Sequence, residues 1–173
     1  MKIVVAASVL QGREAFSTLG RVTVLPDREI RREDLHDADA LIVRSQTRVT
    51  AELLAGTPVS FVATATAGAD HFDTEWLTDN GIAWTASPGC NANAVAEEVV
   101  ALMLADARHV VEADASTRAG GWEKNKFMGR EITGKTIGIV GLGNIGRLVA
   151  KRLEGFECRI LGYDPLVPVE RAA

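Results

Sequence analysis

Three glycines and an aspartate in the last quarter of the 173-residue chain have the spacing of a dinucleotide-binding loop. Gly141, Gly143 and Gly146 follow an apolar segment, "KTIGIV", and open an amphipathic one, "NIGRLVAKRLEG". The first glycine of such a loop permits a tight turn, the second lets backbone approach a pyrophosphate, and the third allows close helix–strand packing. Asp164 ends the next predicted strand, where a carboxylate accepts both ribose hydroxyls and repels a 2′-phosphate. The pattern predicts binding of NAD in preference to NADP.

A second glycine pattern, "GREITGKT" at 129–136, matches the P-loop consensus GxxxxGK[ST]. A P-loop follows a strand and opens a helix, because its amides and the helix start together hold the phosphates. Here the glycine and lysine lead directly into a predicted strand, "TIGIVG". The sequence therefore argues against nucleoside triphosphate binding at this pattern.

The composition excludes several classes of protein. A hydrophobic fraction of 47% with 24% charged residues is ordinary for a soluble globular protein. The net charge is −4 and the basic residues form no long run, so no nucleic-acid partner is predicted. No stretch reaches the roughly 20 apolar residues of a membrane span. Cys90 and Cys158 lack metal-ligand spacing, which predicts reduced thiols, no metal site and a cytoplasmic location.

Short apolar runs alternate with amphipathic segments through the first ninety residues. The predicted strands cover 3–6, 22–25, 40–44, 60–64 and 82–85, and the predicted helices cover 13–19, 32–36, 51–54 and 74–78. Such alternation is typical of a parallel sheet with covered faces. Right-handed crossovers then favour an α/β fold with a flavodoxin-like open sheet.

A long helical pattern follows at 93–117, with Asn93 as a candidate cap and two glutamates in its first turns. A helix of about 25 residues spans roughly 37 Å, longer than one small domain requires. It either links two domains, packs in a dimer interface, or belongs to a single core. The last segments form one β-α-β unit, the first half-unit of a Rossmann domain. We therefore expect a substrate domain at 1–97, and the linking helix with a partial NAD-binding domain at 98–173.

The chain resembles the D-isomer-specific 2-hydroxyacid dehydrogenases from residue 1 to about 165. The stretches that carry the resemblance are "DADALIVRSQTRV", "TATAGADHFD", "SPGCNANAVAE" and "GGWEKNKFMGREITGKTIGIVGLGNIGR". The resemblance implies a flavodoxin-like substrate domain joined by a long helix to a Rossmann NAD-binding domain. It also implies oxidation of the CH–OH group of a small, phosphorylated 2-hydroxy acid, 4-phosphoerythronate or 3-phosphoglycerate.

The resemblance further implies roles for individual residues. Ser45 and Thr66 match positions that contact substrate, and the turn Thr66, Ala67, Gly68 matches a loop whose amides face the substrate carboxylate and the nicotinamide. Asn144 and Ile145 match the pair that touches the pyrophosphate, and Asp164 matches the ribose-binding acid. These matches predict a substrate site in the first domain and a cofactor site in the second.

Two arginines extend the predicted substrate site. Arg44 and Ser45 fall just beyond the carboxyl end of a predicted strand, where open α/β sheets bind ligands. Arg44 and Arg48 would supply charge for an anionic substrate. The alternatives are that the arginines form a solvated surface pair, and that the hydroxyls of Ser45 and Thr66 cap local backbone.

The family's catalytic histidine, glutamate and arginine have no match in these 173 residues, and we expect them beyond residue 173. His71 follows the substrate loop, but relatives carry a histidine there in addition to the catalytic one, so a structural role is favoured. His36 and His109 lie in helical patterns and are also interpreted as structural. The expectation is a truncated enzyme without turnover on its own, forming a homodimer through the linking helix. The alternatives are an NAD-binding regulatory or interaction module without turnover, and an interaction domain whose glycine loop binds nothing.

Overall fold

The structure is a computed structural model that describes residues 1–167, so the end of the predicted second domain, 168–173, lies outside the described residues. The chain divides into two compact units, Met1–Cys90 and Asn91–Ala173. The sequence places this boundary at 97/98. In the structure it falls before the first helix of the second unit, so the whole of that helix belongs to the second unit.

The first unit is built on a five-stranded parallel sheet. Its strands are β1 (Lys2–Ala6), β2 (Arg21–Leu25), β3 (Ala40–Val43), β4 (Phe61–Thr64) and β5 (Ala83–Thr85), in the order β2-β1-β3-β4-β5. The connections contain α1 (Gly12–Phe16), a 3₁₀ helix (Arg32–Leu35), α2 (Ala51–Leu54) and α3 (Thr74–Asp79). This strand order is that of flavodoxin-like folds, which confirms the predicted fold class.

Continuous apolar runs explain why β1 and β3 occupy the centre of this sheet. Residues in β1 alternate between two cores, with Val4 on one face and Ile3 and Val5 on the other. The first face packs on leucines of the connecting helices: Leu35, Leu54 and Leu77. Burial of each such leucine contributes about 1.5–3 kcal/mol to stability. The short β5 lies at the edge and is exposed along its length.

The second unit contains one β-α-β unit and the helices that precede it. Its elements are α4 (Ala92–Ala107), α5 (Val110–Arg118), β6 (Thr136–Val140), α6 (Asn144–Leu153), a 3₁₀ helix (Glu154–Phe156) and β7 (Arg159–Tyr163). Strands β6 and β7 are parallel, as predicted. Helix α6 packs on α4 through Val149, Leu153 and Ala96, and on one face of the two strands. The other face exposes Val140, Leu161 and Tyr163.

The predicted helix over 93–117 is present as two helices, α4 and α5, interrupted at Arg108 and His109. His109 has a φ of 52°, in the left-handed region, which ends the α-helical path. The carbonyl of Ala107 accepts a hydrogen bond from the Arg130 amide at 2.7 Å, so a distant loop replaces the next intrahelical donor. This contact has no local sequence signal. Within residues 1–167, no helix is both long and apolar enough to cross a membrane.

Gly129, the first glycine of the P-loop-like pattern, makes this close contact sterically allowed. A methyl group at Gly129 would lie 2.5 Å from the Ala107 carbonyl oxygen and 2.7 Å from the Arg108 Cα. Both neighbours are backbone atoms, so moving them would disturb the end of α4. We therefore expect Gly129→Ala to lower the free energy of unfolding by about 1–3 kcal/mol. Urea denaturation would measure this change in the free energy of unfolding. A change within about 0.5 kcal/mol, the usual effect of a surface substitution, would contradict the close packing of Gly129 on Ala107 and Arg108.

Candidate functional site

The carboxyl ends of the five parallel strands of the first unit collect polar residues. Those within two residues of the strand ends are Ser8 after β1, Asp27 after β2, Arg44 and Ser45 after β3, Thr66 after β4 and Ser87 after β5. Parallel strands end at the same edge of a sheet, which is where open α/β sheets bind ligands. The structure therefore brings Arg44, Ser45 and the 66–68 turn to one edge of the sheet. The structure adds Ser8, Asp27 and Ser87 to the predicted residues at this edge, because they too lie just beyond the carboxyl ends of strands.

The turn after β4 is held by hydrogen bonds from its own side chains and from Ser87. The buried Thr64 has its Oγ1 2.7 Å from the Oγ1 of Thr66, and Thr66 Oγ1 donates to the Gly68 carbonyl at 2.8 Å. Ser87 donates its amide to the Thr66 carbonyl at 2.9 Å and its hydroxyl to the Thr64 carbonyl at 3.2 Å. The exposed amides of Ala67 and Gly68 donate to no other residue between 1 and 167. They are available to an anionic ligand.

His71 is connected to this turn. Its Nε2 lies 3.0 Å from Thr64 Oγ1, and its ring meets the Phe72 ring edge-on at 4.7 Å between centroids. Its carbonyl accepts from the Val49 amide at 2.9 Å. Partial burial lowers the pKa of His71 below its usual value of 6.5, against the opposing charge of Asp70. The ring is therefore neutral at neutral pH.

Arg44 lies over the end of β1. Its Nη1 donates to the Ser8 carbonyl at 3.5 Å, a long hydrogen bond that leaves the exposed guanidinium available. Ser8 in turn binds Asp27 through its amide, at 3.0 Å, and its hydroxyl. Thr47 Oγ1 donates to the Asp27 carbonyl at 2.9 Å, which fixes this corner of the sheet edge. The exposed side chain of Ser45 makes no hydrogen bond to another described residue.

Arg48 lies in a different environment. It lines an open cavity of about 630 Å³ together with Arg31, Arg32, Glu33 and Glu52. Neither Ser45 nor the 66–68 turn lines this cavity. None of the other predicted substrate residues lines this cavity, and Arg48 is next to Val49, whose amide donates to the His71 carbonyl.

The glycine loop of the second unit has the geometry that each glycine requires. Gly141 has a φ of 95°, which allows the tight turn after β6, and its amide donates to the Tyr163 carbonyl at 2.7 Å at the end of the β6–β7 pairing. A methyl group at Gly146 would lie 1.9 Å from the Gly141 carbonyl oxygen, so the helix packs directly on the turn. A methyl group at Gly143 would meet no described atom within 4 Å, so this position is open to a ligand.

Asn144 and Ile145 form the first turn of α6 directly after Gly143. The first amides of a helix have no intrahelical partner and carry partial positive charge. They suit the oxygens of a pyrophosphate. Ile145 is 38% exposed.

Asp164 closes the loop from the end of β7. Its Oδ1 accepts from the Leu166 amide at 2.8 Å, and its Oδ2 accepts from the Leu142 amide at 2.7 Å. These two hydrogen bonds hold the pKa of Asp164 below its usual value of 3.8, and the bond from Leu166 has the larger effect. Arg147 donates to the Leu142 carbonyl at 2.7 Å and adds a favourable charge. The carboxylate is ionised, and its remaining lone pairs suit ribose hydroxyls.

The P-loop-like pattern has no such geometry. Lys135 immediately precedes β6, and the pattern leads into the start of that strand. Gly141 and its loop lie at the other end of β6. The pattern therefore lacks the context of a P-loop, which follows a strand and opens a helix. Among residues 1–167, no group of three or more histidine, cysteine or acidic side chains is placed to hold a metal ion.

A glycine turn, a helix start and an acidic strand end in one β-α-β unit define a dinucleotide-binding α/β protein. Comparison with known proteins agrees. Residues 100–173 match the family model of the D-isomer specific 2-hydroxyacid dehydrogenase NAD binding domain. The chain is 45% identical over 165 residues to an erythronate-4-phosphate dehydrogenase of Salmonella arizonae, covering 95% of this chain and 39% of that protein. The chain thus spans less than half the length of this relative.

Solved structures show the same likeness. The TT0316 protein of Thermus thermophilus is 30% identical with a TM-score of 0.85, covering 97% of this chain and 58% of that one. An NAD-dependent formate dehydrogenase of Staphylococcus aureus, solved with NAD, is 28% identical with a TM-score of 0.81, covering 96% and 57%. Residues 100–173 are thus similar to the NAD binding domain of the D-isomer-specific 2-hydroxyacid dehydrogenases, and the match to the Salmonella relative extends over 95% of the chain. The named relatives are dehydrogenases, and the matched family model is that of an NAD binding domain.

Proposed function

We propose that the chain supplies the substrate-binding and NAD-binding parts of a dehydrogenase acting on a small, phosphorylated 2-hydroxy acid. The observation that carries this proposal is the glycine loop fastened by Asp164, with Gly143 open and Gly146 packed on Gly141. The first candidate substrate is 4-phosphoerythronate, since a relative at 45% identity is named for it. The second is 3-phosphoglycerate.

The sheet edge of the first unit supplies groups for such a substrate. The free amides of Ala67 and Gly68 suit a carboxylate, because backbone N–H groups bind anionic oxygens with charge-assisted hydrogen bonds. The exposed guanidinium of Arg44 suits a second anionic group, and Ser45 adds a hydroxyl beside it. The exposed Arg48, which lines an open cavity with Arg31 and Arg32, supplies a further positive charge for an anionic substrate.

The reaction moves a hydride from the hydroxyl-bearing carbon and a proton from its hydroxyl oxygen. Bound NAD supplies the hydride acceptor. The chain's own residues bind and orient both ligands: the 66–68 turn holds the acid, and Asp164 and the start of α6 hold the cofactor. The acid/base histidine, its carboxylate and the orienting arginine of the family have no match in residues 1–173. General acid–base catalysis alone contributes about 10²–10⁴-fold to rate, so the chain by itself binds without turnover.

A chimera tests this proposal. Residues 1–173 are joined to the remaining C-terminal part of the Salmonella arizonae relative, and NADH formation is followed with each candidate substrate. We expect NADH from 4-phosphoerythronate with the chimera and none with the chain alone, while both bind NAD. NADH formed by the chain alone would contradict the division of roles. A chimera that binds NAD but turns over neither substrate would overturn the proposed substrate class and favour a binding module.

We also propose a cytoplasmic homodimer formed through the linking helices. Helices α4 and α5 expose apolar side chains, with Leu102 60% and Val111 70% exposed, although α4 packs on α6 through its other side. Large exposed apolar side chains on both helices are typical of an interface.

The dimer predicts a change in mass on substitution. We expect the chain to elute at twice its 18.5 kDa mass in light-scattering chromatography, and Leu102→Glu with Val111→Glu to elute at the monomer mass. Leu10→Glu, at an 86% exposed position of the first unit, is the matched control and should remain dimeric. A monomeric unsubstituted chain would contradict the proposal.

A further inference from the structure

The hydrogen bonds that connect His71 to the 66–68 turn have only one consistent direction. The Gly68 carbonyl is an acceptor, so Thr66 Oγ1 must donate to it. A hydroxyl has one proton, so Thr66 cannot also donate to Thr64. The 2.7 Å contact between the two hydroxyls therefore has Thr64 as the donor.

The same count fixes the protonation of His71. Because Thr64 gives its proton to Thr66, the 3.0 Å contact with His71 requires a proton on Nε2 of the imidazole. The neutral ring then has no proton on Nδ1. Thr64 is 1% exposed, so water is not an alternative partner for its hydroxyl. The Phe72 ring and the Val49 amide hold His71 in place for this role.

The direction of these hydrogen bonds determines what Thr66 can offer a ligand. Its proton is held by the Gly68 carbonyl, and one of its two lone pairs accepts from Thr64. One lone pair remains, so Thr66 Oγ1 can accept a hydrogen bond but not donate one. A ligand hydroxyl fits this atom. A carboxylate or phosphate oxygen has no proton to give and would be repelled.

We propose that His71 is a positioning residue that acts through Thr64 to hold Thr66 as a hydrogen-bond acceptor for a substrate hydroxyl. This rests on the proposed function, in which the 66–68 turn binds the hydroxy acid. His71 donates to Thr64, which directs the Thr64 proton to Thr66 and leaves the Thr66 proton for Gly68. Without that donor, the buried Thr64 hydroxyl can turn, and Thr66 can release Gly68 and donate to other groups. His71 therefore helps the site to distinguish a hydroxy acid from a similar anion that has no hydroxyl.

The first test needs no ligand. Long-range ¹H–¹⁵N NMR of the 173-residue chain at neutral pH shows which imidazole nitrogen of His71 carries the proton. We expect protonated Nε2 and unprotonated Nδ1. A proton on Nδ1, or rapid exchange between the two forms, would overturn the proposal whether or not the chain binds a hydroxy acid.

The second test measures discrimination between two probes, 3-phosphoglycerate and 3-phosphooxypropionate, which has the same anionic groups and lacks only the single hydroxyl. We expect the unsubstituted chain to bind the first about tenfold more tightly, the effect of one well-placed hydrogen bond. His71→Leu removes the donor and should reduce this ratio towards one. His71→Gln restores a side-chain N–H donor and should restore most of the ratio, which a general packing role would not produce.

A third variant separates loss of the relay from loss of folding. Thr64→Val keeps the shape of the side chain and removes the central hydroxyl, so it should reduce the ratio as His71→Leu does. If His71→Leu unfolds, this variant and His71→Gln still test the relay. An unchanged ratio in a folded His71→Leu or Thr64→Val chain would overturn the proposal. If the unsubstituted chain binds neither probe, the proposed substrate site fails, and the protonation of His71 is still tested by the first experiment.

Discussion

Replacing Gly146 with alanine is expected to destabilise the second unit and remove NAD binding together. The added methyl group would lie 1.9 Å from the Gly141 carbonyl oxygen and 3.3 Å from Cγ2 of Ile139. The nearest atom belongs to the backbone of the turn that must meet the pyrophosphate, so relief requires the loop and helix to separate. We expect the free energy of unfolding to fall by about 3 kcal/mol, the upper end of the usual cost of overpacking.

Gly143 and Gly155 make this prediction specific. Gly143→Ala introduces a methyl group with nothing within 4 Å, in an extended backbone conformation that alanine adopts. It should leave stability within about 0.5 kcal/mol and still reduce NAD affinity about tenfold or more, because the methyl group occupies space that the pyrophosphate needs. Gly155→Ala, at another open position, should change neither property.

Urea denaturation and calorimetric NAD titration of the three variants check these outcomes. We expect the free energy of unfolding to fall only in Gly146→Ala. We expect the NAD affinity to fall in both Gly146→Ala and Gly143→Ala. Full NAD affinity in Gly143→Ala would mean that the cofactor does not approach the loop. Unchanged stability in Gly146→Ala would mean that α6 does not pack on the turn as the structure has it.

Asp164→Asn is expected to have the next largest effect on cofactor binding. The carboxylate accepts from the Leu142 and Leu166 amides and has lone pairs left for ribose hydroxyls. An asparagine offers one oxygen and places an N–H group where the second acceptor stood. NAD affinity should fall about tenfold, the effect of losing one charge-assisted hydrogen bond. The preference for NAD over NADP should also narrow, because the charge that repels a 2′-phosphate is gone.

The direction of the Asp164 pKa predicts the pH dependence of this effect. The folded chain lowers the pKa from its usual 3.8, so it favours the ionised form. The contribution of the carboxylate to stability is therefore complete above the usual pKa and is lost as pH falls through the lowered value. Calorimetric titration with NAD and NADP compares the unsubstituted chain with Asp164→Asn at neutral pH and near pH 4.5. We expect the difference in affinity between the two proteins to be the same at both pH values. Asp106→Asn, on the exposed surface of α4, is the matched control and should behave as the unsubstituted chain.

Much of the fold follows from patterns that are local in sequence. The continuous apolar runs of β1 and β3 predict central strands, and the helical segments between the strands predict parallel connections. The three glycines and Asp164 also carry their own context, since the strand and helix around them are read from adjacent residues. For these elements the local preference and the tertiary structure agree.

The features that the sequence did not reveal depend on contacts between distant residues. The interruption between α4 and α5 rests on the Arg130 amide reaching the Ala107 carbonyl. The role that we propose for His71 depends on a hydrogen bond to Thr64 that neither residue type predicts. Each is decided by tertiary packing, which acts after the local pattern is satisfied.

The central claim is that the glycine loop and Asp164 of this chain bind NAD. The most direct test is an NAD titration of the ¹⁵N-labelled 173-residue chain followed by amide chemical shifts, with NADP as the comparison. We predict saturable shifts concentrated at Gly141, Gly143, Asn144 and Ile145, and much weaker ones with NADP at the same concentrations. Absence of shifts, equal shifts with both cofactors, or shifts confined to the loop around Lys135 would contradict this claim.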